Sequence, residues 1–369
     1  MNSAPAIRPI RRDECIDITE SPAALDAAEL SIISQSEAQN YERLKHPKFE
    51  LRVPSTWKSP VALNVHAAEV GAKTIEWIMS LGCDKSQARR LIDFETSHYF
   101  GIPFPTIAAD KALLISKYLS LWLLWDDVEV ESGKNHWRIS TSDILTKTPP
   151  AQASIYDLGW CALLQEIAQV MSPRWLESLV QGMMVWDEAA RQEALISRRY
   201  RLQKKMPSFA ESLITRMATI GMSATAYLLE YANDIELSAE FHAHPIVKRM
   251  KTLTNVIVGL GNDIFSFAKD YDGGYINVIV ALASEQRLSL PAAFAKIIKL
   301  HNETVGEFDD LALRLFRQGA RWEAGLRKWT QQMRYCSLGF TIWESRAPRY
   351  NKKKILAGNR ILEPSIVYI

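Results

Sequence analysis

Almost the whole chain from residue 64 onward carries the apolar spacing of amphipathic helices, with apolar residues recurring every three or four positions. We find no convincing alternating pattern of a half-buried strand, no internal repeat and no Gly/Ser-rich linker. The pattern therefore predicts an all-α protein of about ten helices in a single domain. The expected helical stretches are 65–81, 85–99, 108–130, 154–171, 174–198, 208–231, 246–267, 290–318 and 321–343, and 132–150 is expected to be a polar loop.

The two ends of the chain differ from this helical region. Residues 1–57 mix prolines, charges and short apolar runs without a sustained period, which predicts a partly disordered N-terminal extension. The helical domain is expected to span 58–350, and 351–369 is expected to form a C-terminal tail. Every motif discussed below then falls inside one domain.

Composition narrows the class of protein. Apolar residues make up 47% of the 369 residues, which is enough for a sizeable core. Lys and Arg total 44 against 42 for Asp and Glu, so no basic excess is available for binding a nucleic acid backbone. The most apolar run, 113–125, contains Lys117 and is too short to cross a bilayer. Four scattered cysteines without a CxxC pair, and an N-terminus without the apolar core of a signal peptide, lead us to expect a cytoplasmic protein.

An acidic segment ends the most apolar helical stretch. Asp126 and Asp127 are adjacent, and Glu131 lies four residues beyond Asp127, so a helix would place Asp127 and Glu131 on one face. Trp122 lies one turn below Asp126, so the carboxylates would form a rim above an aromatic floor. Carboxylate oxygens suit hard divalent cations such as Mg²⁺. The alternative is a helix end whose acidic side chains face the solvent. This segment alone does not decide between a metal site and a solvent-exposed helix end.

A second polar segment interrupts a later apolar helical stretch. Asn262, Ser266 and Asp270 are spaced four residues apart, so a helix aligns three side-chain oxygens along one face. Buried polar side chains need partners, and a metal ion would supply one. Lys269 adds a cation at the same end. A polar face turned to the solvent is the alternative, but the two segments together predict oxygen-rich faces that hold a small cluster of divalent ions.

Both segments resemble motifs of the class I terpene synthases of the bacterial and fungal type, sesquiterpene synthases in particular. Residues 126–131 look like the aspartate-rich motif of that family. Residues 262–270 look like its second metal-binding motif, with Asp270 where glutamate is commoner, a departure that shortens this ligand by one methylene. The resemblance covers roughly 58–350 and leaves both ends of the chain outside it.

Two further features match the same family. Arg349 and Tyr350, with Trp343 six residues before the arginine, resemble its C-terminal RY pair. Arg216, 46 residues ahead of Asn262, stands roughly where the family has its diphosphate-sensing arginine. The four motifs occur in the family's order, and their combination is more specific than any one of them.

The resemblance implies a single-domain class I terpenoid synthase fold, a helical bundle around a central apolar cavity. It implies Mg²⁺-dependent ionisation and cyclisation of a linear prenyl diphosphate, with farnesyl diphosphate favoured and geranylgeranyl diphosphate second. Three Mg²⁺ ions are expected, with Mn²⁺ as a substitute, in a monomer or homodimer that has no nucleic acid partner and no membrane span. The implied roles are metal binding by Asp126, Asp127, Glu131, Asn262, Ser266 and Asp270, diphosphate binding by Arg216, Lys269, Arg349 and Tyr350, an effector region at Thr219, Ile220 and Gly221, and cation stabilisation by Trp122, Phe94, Tyr99 and Trp343.

Two other functions stay open at this stage. A chain-elongating prenyl diphosphate transferase of similar helical build would carry two aspartate-rich motifs, and this chain has one. A non-catalytic helical binding protein could retain a diphosphate pocket, and Asp270 is the departure that supports it. Among the cavity candidates, Phe94 and Tyr99 fit an ordinary core at least as well. The basic residues at 198–199 and 204–205 are interpreted as surface.

Overall fold

The computed structural model describes residues 16–17, 49–130, 137–203, 205–318, 323–351, 355–357, 360–361 and 364–369. Most of these residues are helical, so the predicted all-α fold class is confirmed. Glu131, one of the predicted metal ligands, lies outside the described residues, as does most of the predicted N-terminal extension.

The helices begin at recognisable sequence signals. Capping boxes at Asp84, Ser140, Ser154 and Ser208 satisfy the first backbone N–H groups of four of them. None of the helices in the described part of the chain is both long and apolar enough to cross a membrane. In chain order the α-helices are α1 (Ala67–Ser80), α2 (Lys85–Asp93), α3 (Thr96–Gly101), α4 (Ala109–Trp125), α5 (Thr141–Leu145), α6 (Ile155–Ile167), α7 (Pro173–Gln203), α8 (Phe209–Thr219), α9 (Met222–Ala232), α10 (Ala239–Ala243), α11 (Pro245–Gly273), α12 (Val278–Gln286), α13 (Leu290–Gln318), α14 (Glu323–Glu344) and α15 (Pro348–Asn351).

The helix boundaries differ from the prediction where single residues leave the helical backbone. The predicted helix 85–99 is two helices, because Glu95 adopts a left-handed conformation with a φ of 49°. The predicted helix 208–231 divides into α8 and α9 at Gly221, whose φ is 79°. The predicted loop 132–150 contains the short helix α5. Periodicity alone cannot detect such breaks, since the apolar spacing continues across them.

The described residues also include short strands, which no alternating pattern in the sequence indicated. Strand β2 (Glu50–Val53) pairs in parallel with β5 (Ser365–Tyr368). A second small sheet has the order β1 (Ile16–Asp17), β3 (Ile355–Ala357) and β4 (Arg360–Ile361). Each of these strands is two to four residues long, which is too short for an alternating pattern to be recognised.

Strand β2 is attached to the helical bundle through α13. Leu51 is fully buried in the core. The Asn302 side chain on α13 donates to the Glu50 carbonyl at 2.9 Å and accepts from the Arg52 backbone N–H at 2.8 Å. These residues therefore contact the bundle although the sequence assigns them to the N-terminal extension. The predicted division of the chain into three parts stays a prediction.

Helix α11 is the central element of the bundle. It packs against α8, α9, α12, α13 and α14, and buried residues occur along most of its length. Helix α4 is also buried on most of its surface, and it packs against α1, α3 and α6. The two sequence motifs lie at or near the C-terminal ends of these two buried helices, and this arrangement brings both motifs to one cavity.

Candidate active site

A cavity lies between α4, α7, α11 and α14, and it combines aromatic and aliphatic walls with a polar rim. The structure places most of the predicted site residues in its lining. They are Asp126, Asn262, Ser266, Asp270, Arg216, Lys269, Arg349, Tyr350, Trp122, Tyr99, Trp343, Thr219, Ile220 and Gly221. Residues that were chosen from separate motifs therefore converge on the same space. Asp127 and Phe94 do not line it.

The acidic segment forms a π-helix rather than a continuation of α4. Asp126 lines the cavity, whereas Asp127 is buried against Arg349 and Arg90. Both Nη atoms of Arg349 donate to the Asp127 carboxylate, with 2.5 Å between Nη2 and Oδ1, and Arg90 Nη1 donates to Oδ2 at 3.0 Å. Burial alone would raise the pKa of Asp127, but Arg349, together with Lys269 and Arg90, lowers it to about 2. Asp127 is thus an ionised partner of two arginines, and its role as a metal ligand stays a prediction.

The oxygen-rich face of α11 is arranged by hydrogen bonds between its own members. Ser266 Oγ donates to Asp270 Oδ2 at 2.5 Å, and Asn277 Nδ2 donates to the same oxygen at 3.1 Å. Ser266, Asp270 and Asn277 are all buried. The shorter Asp270 side chain is therefore held in a fixed position by two donors. The sequence reasoning missed Asn277, because it lies outside the recognised motif and meets Asp270 only after the chain turns at Gly274.

Asn262 is oriented by α14 and α15. Its Nδ2 atom donates to Glu344 Oε1 at 3.0 Å and lies 3.4 Å from the Tyr350 hydroxyl. Because the amide nitrogen is used in this way, the carbonyl oxygen is the atom that can bind a cation. Burial raises the pKa of the Glu344 carboxyl to about 8, although the hydrogen bond from Asn262 opposes that shift. Glu344 also lines the cavity, and the only sequence signal for it is that it follows Trp343.

The donor set of the cavity fits a hard divalent cation. It offers the carboxylates of Asp126 and Asp270, the Ser266 hydroxyl and the Asn262 carbonyl oxygen. In the described part of the chain, no three His, Cys, Asp or Glu side chains come close enough together to hold a metal ion by themselves. Mg²⁺ commonly takes one or two carboxylates and completes its coordination with substrate phosphates and water. The residues present fit that kind of binding rather than a cage made only of protein.

Arg216 is held by two acidic residues that the sequence reasoning missed. Its Nε donates to Asp263 Oδ1 at 2.6 Å, and Nη1 lies 3.2 Å from Glu193 Oε1. Nη2 donates to the Ile276 carbonyl at 3.3 Å. Burial alone would lower the pKa of the guanidinium, but Asp263 and Glu193 raise it above its usual range. The arginine is therefore charged and fixed in orientation before any ligand arrives. Asp263 could have been found, since it follows Asn262 directly, whereas Glu193 has no such signal.

Two pairs of aromatic side chains form much of the cavity wall. The rings of Trp122 and Trp186 meet edge to face with their centroids 4.8 Å apart. The rings of Tyr99 and Trp343 are 4.3 Å apart. Trp186 Nε1 donates to the Thr219 carbonyl at 2.7 Å, which ties this wall to the end of α8. Trp186 was missed because nothing in the sequence distinguishes it from the other tryptophans of the helical region.

The structure corrects the placement of Phe94. Its side chain is 1% exposed and lies in the core rather than in the cavity lining. The Phe94 carbonyl accepts a hydrogen bond from Trp343 Nε1 at 2.8 Å, and the Arg349 guanidinium lies 5.3 Å from the Phe94 ring centroid. Phe94 therefore supports two cavity residues from behind. The apolar spacing of a helix predicts that a residue such as Phe94 is buried, but it does not show which space the side chain faces.

The break between α8 and α9 lies close to the aromatic wall, and Gly221 is the residue that permits this close approach. Its φ of 79° is a conformation that side-chain-bearing residues rarely adopt. A Cβ atom at this position would lie 2.8 Å from Trp122 Cζ2, inside van der Waals contact. The effector region predicted from the sequence is thus a sharp helix break that is packed against the cavity floor.

We expect Gly221→Ala to lower the free energy of unfolding by about 1–3 kcal/mol, because the new methyl group strains the backbone and pushes on Trp122. Urea denaturation measures the change. Gly306→Ala is the matched control, since Gly306 lies within α13 and a Cβ there would meet no atom within 4 Å. That control is expected to leave stability unchanged or to raise it by up to about 1 kcal/mol. Equal effects of the two substitutions would contradict the packing argument.

A cationic group at the cavity edge was also missed. Arg201, in the last turn of α7, lines the cavity together with Lys269 and Tyr275. The Arg201 guanidinium lies 5.4 Å from the Tyr275 ring centroid, and Lys269 Nζ lies 5.6 Å from the same centroid. Gly274, with a φ of 66°, leaves room for the Arg201 stem, because a Cβ there would be 2.7 Å from its Cγ. Arg201 lies in the sequence between the basic pairs 198–199 and 204–205, which were interpreted as surface, and it contributes one cation to the cavity.

Comparison with known proteins assigns the family. The family model described as terpene synthase family 2, C-terminal metal binding, matches residues 117–307. The chain is 24% identical over 306 residues to 10-epi-cubebol synthase from Sorangium cellulosum, covering 78% of this chain and 93% of that protein. It is 23% identical over 254 residues to a 7-epi-alpha-eudesmol synthase from Streptomyces viridochromogenes, named as cyclising (2E,6E)-farnesyl diphosphate, covering 64% of this chain and 71% of that protein.

The fold agrees with this assignment. The structure is similar to that of linalool/nerolidol synthase from Streptomyces clavuligerus in complex with 2-fluorogeranyl diphosphate, with a TM-score of 0.68 and 17% sequence identity. The similarity covers 79% of this chain and 98% of that one. The predicted class I terpenoid synthase fold is therefore confirmed. Because the family model also matches more than half of the sequence, this protein belongs to the terpene synthase family.

Proposed function

We propose that this protein ionises and cyclises a linear prenyl diphosphate and releases diphosphate, with farnesyl diphosphate as the favoured substrate and geranylgeranyl diphosphate second. The observation that carries the proposal is that Asp126 and the α11 oxygens adjoin an aromatic space within the same cavity. The relative that is named for cyclising farnesyl diphosphate supports the choice of substrate. An apolar chain bound in the aromatic space would present its diphosphate to the polar rim.

We propose Mg²⁺ as the metal, with three ions bound and Mn²⁺ able to substitute. Bound there, Mg²⁺ supplies Lewis-acid neutralisation of the diphosphate, which is a poor leaving group until its charge is reduced. Asp126, Asn262, Ser266 and Asp270 would hold the metal through oxygen atoms. The hydrogen bond from Ser266 to Asp270 and the one from Asn262 to Glu344 set these side chains in position beforehand. The metal-binding description of the family supports this assignment without naming the ion.

The cations of the rim would bind the remaining diphosphate oxygens. A guanidinium has five N–H donors, so Arg216 and Arg349 retain donors for phosphate oxygens beyond those that their present partners accept, and Lys269 acts as a compact charge. The Tyr350 hydroxyl is a further donor, and burial raises its pKa to about 12, so it keeps its proton at neutral pH. The carboxylates of Asp263, Glu193 and Asp127 already orient the two arginines. Little reorganisation is then needed when the diphosphate binds.

The aromatic walls would protect and stabilise the allylic cation that ionisation produces. Trp122, Trp186, Tyr99 and Trp343 offer ring faces, which attract a cation without acting as nucleophiles. The aromatic and aliphatic walls would also keep water away from the cation until the ring-forming steps are complete. We further propose that the protein is cytoplasmic and acts as a monomer or homodimer.

We expect Arg201→Ala to weaken Mg²⁺-dependent binding of inorganic diphosphate about tenfold, because a charge-assisted contact at the rim is lost. Isothermal titration calorimetry with diphosphate and MgCl₂ measures the change. Arg199→Ala is the control, since Arg199 is exposed on the same helix and does not line the cavity. If both variants bind diphosphate as the unaltered protein does, Arg201 has no part in the site.

Product analysis tests the proposed function directly. The protein is incubated with Mg²⁺ and each prenyl diphosphate from C10 to C20, and the extracts are analysed by gas chromatography and mass spectrometry. A cyclic hydrocarbon or alcohol that is absent with Asp126→Ala supports the proposal. If prenyl diphosphates with longer chains formed when the five-carbon prenyl diphosphate was also added, the protein would instead be a chain-elongating transferase. Mg²⁺-dependent diphosphate binding without any turnover would identify a binding protein.

A further inference from the structure

A cluster of ionisable side chains lies outside the cavity, where α9, α10 and α11 meet. Lys251 on α11 is half-buried, and its Nζ lies 2.9 Å from His242 Nδ1. On the other side of the imidazole, His242 Nε2 lies 3.0 Å from Glu230 Oε1, within ion-pair distance but without the geometry of a hydrogen bond. The Tyr227 ring covers the amine, with its centroid 4.8 Å from Nζ. None of these four residues lines the cavity, and the proposed reaction uses none of them.

The three groups stand in the order of an amine, an imidazole and a carboxylate whose charge can stabilise the imidazolium. An N–H of Lys251 directed at Nδ1 leaves the amine lone pair available for attack. His242 can then take the proton that the amine loses, and the imidazolium so formed faces the carboxylate of Glu230. Glu230 is fully buried and fixed, because its Oε2 accepts the Leu237 backbone N–H at 2.9 Å. The position of the carboxylate is thus set before any reagent arrives.

The surroundings also favour the neutral, reactive form of the amine. Burial lowers the pKa of Lys251 to about 8, and the charge of Glu230 opposes this only in part. The ionisable groups that face the amine are His242, Glu230 and Tyr227. Burial raises the pKa of Tyr227, so this phenol stays neutral beside the amine. At pH 7.5 an amine with a pKa near 8 has about 200 times the neutral fraction of an ordinary lysine.

We propose that Lys251 is a nucleophilic lysine that acyl phosphates modify, with His242 as the base and Glu230 as the carboxylate that stabilises the imidazolium by its charge. Lys251 Nζ attacks the acyl carbon, a C–N bond forms, and the C–O bond to phosphate breaks with its electron pair leaving on phosphate. The amine proton passes through His242 to the departing phosphate, so the products are an amide and hydrogen phosphate. The reaction needs no oxidant or reductant and is independent of the terpene synthase activity.

Acetyl phosphate is the probe, and Lys248 is the internal control. Lys248 lies three residues earlier on α11 and is exposed, so both lysines are compared in the same molecule. The intact protein is treated for short times at pH 7.5, digested, and the acetylation of each lysine is measured by mass spectrometry. We expect Lys251 to react at least about tenfold faster than Lys248. A ratio of one or less overturns the proposal.

Two further measurements distinguish the proposed roles of His242 and Glu230 from a lysine whose pKa is lowered by burial alone. His242→Gln retains a hydrogen-bond acceptor but cannot take a proton, so the ratio of the two rates should fall about tenfold or more. Circular dichroism confirms that this variant is folded. In the unaltered protein, the Lys251 rate should level off above about pH 8, where its amine is already neutral. An unchanged ratio in His242→Gln, or a Lys251 rate that still climbs at pH 10, contradicts the assigned roles.

Discussion

Replacement of Asn262 by alanine is expected to lower turnover of a prenyl diphosphate by about 10²–10³-fold. The substitution removes the carbonyl oxygen that we assign to the metal and leaves a gap opposite Glu344 and Tyr350. A loss of metal affinity should accompany the loss of rate. Initial rates at saturating substrate, measured over a series of Mg²⁺ concentrations, report both effects. Calorimetry with inorganic diphosphate and Mg²⁺ gives a second readout that does not depend on turnover.

Asn255→Ala is the matched control for this prediction. Asn255 lies on the same helix, is buried, and donates to Ser223 Oγ at 3.1 Å, but it does not line the cavity. Its loss should reduce stability while leaving the Mg²⁺ dependence unchanged. If Asn255→Ala raised the required Mg²⁺ concentration as much as Asn262→Ala, the effect would come from disturbing α11 and not from losing a metal ligand.

The features that could be predicted from the sequence are those that one helix fixes by itself. Asn262, Ser266 and Asp270 share a face because a spacing of four residues brings them there whatever the rest of the fold does. The same holds for Trp122, which lies one turn from Asp126. Helical periodicity also predicted the all-α fold class, because long stretches with helical apolar spacing are difficult to bury in any other architecture.

The features that could not be predicted depend on contacts between distant parts of the chain. Arg201 and Trp186 reach the cavity because α7 packs against α8 and α9, and the sequence around these two residues does not indicate this. Strands β2 and β5 come from opposite ends of the chain and are four residues long, so neither shows a pattern. Such contacts arise from tertiary packing, which a single sequence does not display.

Asp127 shows how a local change of helix type affects a prediction from helical spacing. The prediction that it shares a face with Glu131 assumed the 100° rotation per residue of an α-helix, and it stays a prediction because Glu131 lies outside the described residues. The π-helix at this point has a wider turn, and the structure directs Asp127 to Arg349 while Asp126 lines the cavity. Because of this local change of helix type, Asp127 forms an ion pair, whereas the adjacent Asp126 is the candidate metal ligand.

Asp127→Asn is expected to lower the free energy of unfolding by about 3–5 kcal/mol, because it leaves the buried charge of Arg349 without its carboxylate. The Arg349 side chain is 10% exposed and that of Asp127 is 4% exposed, so water cannot replace the lost partner. Urea denaturation followed by circular dichroism measures the change. Glu307→Gln is the control, since Glu307 forms a similar two-bond contact with Arg249 but both side chains are exposed. That control should cost less than about 1 kcal/mol.

Comparison with Asp126→Asn then separates stability from metal binding. Asp126 lines the cavity, so its replacement should reduce turnover and raise the Mg²⁺ requirement with little effect on unfolding. Asp127→Asn should instead cause a large loss of stability. Its loss of turnover should follow from the displacement of Arg349. An Asp127→Asn variant that unfolds like the unaltered protein, yet needs far more Mg²⁺, would mean that Asp127 leaves the arginine and binds metal during the reaction. The ion pair would then be a resting arrangement that substrate binding breaks.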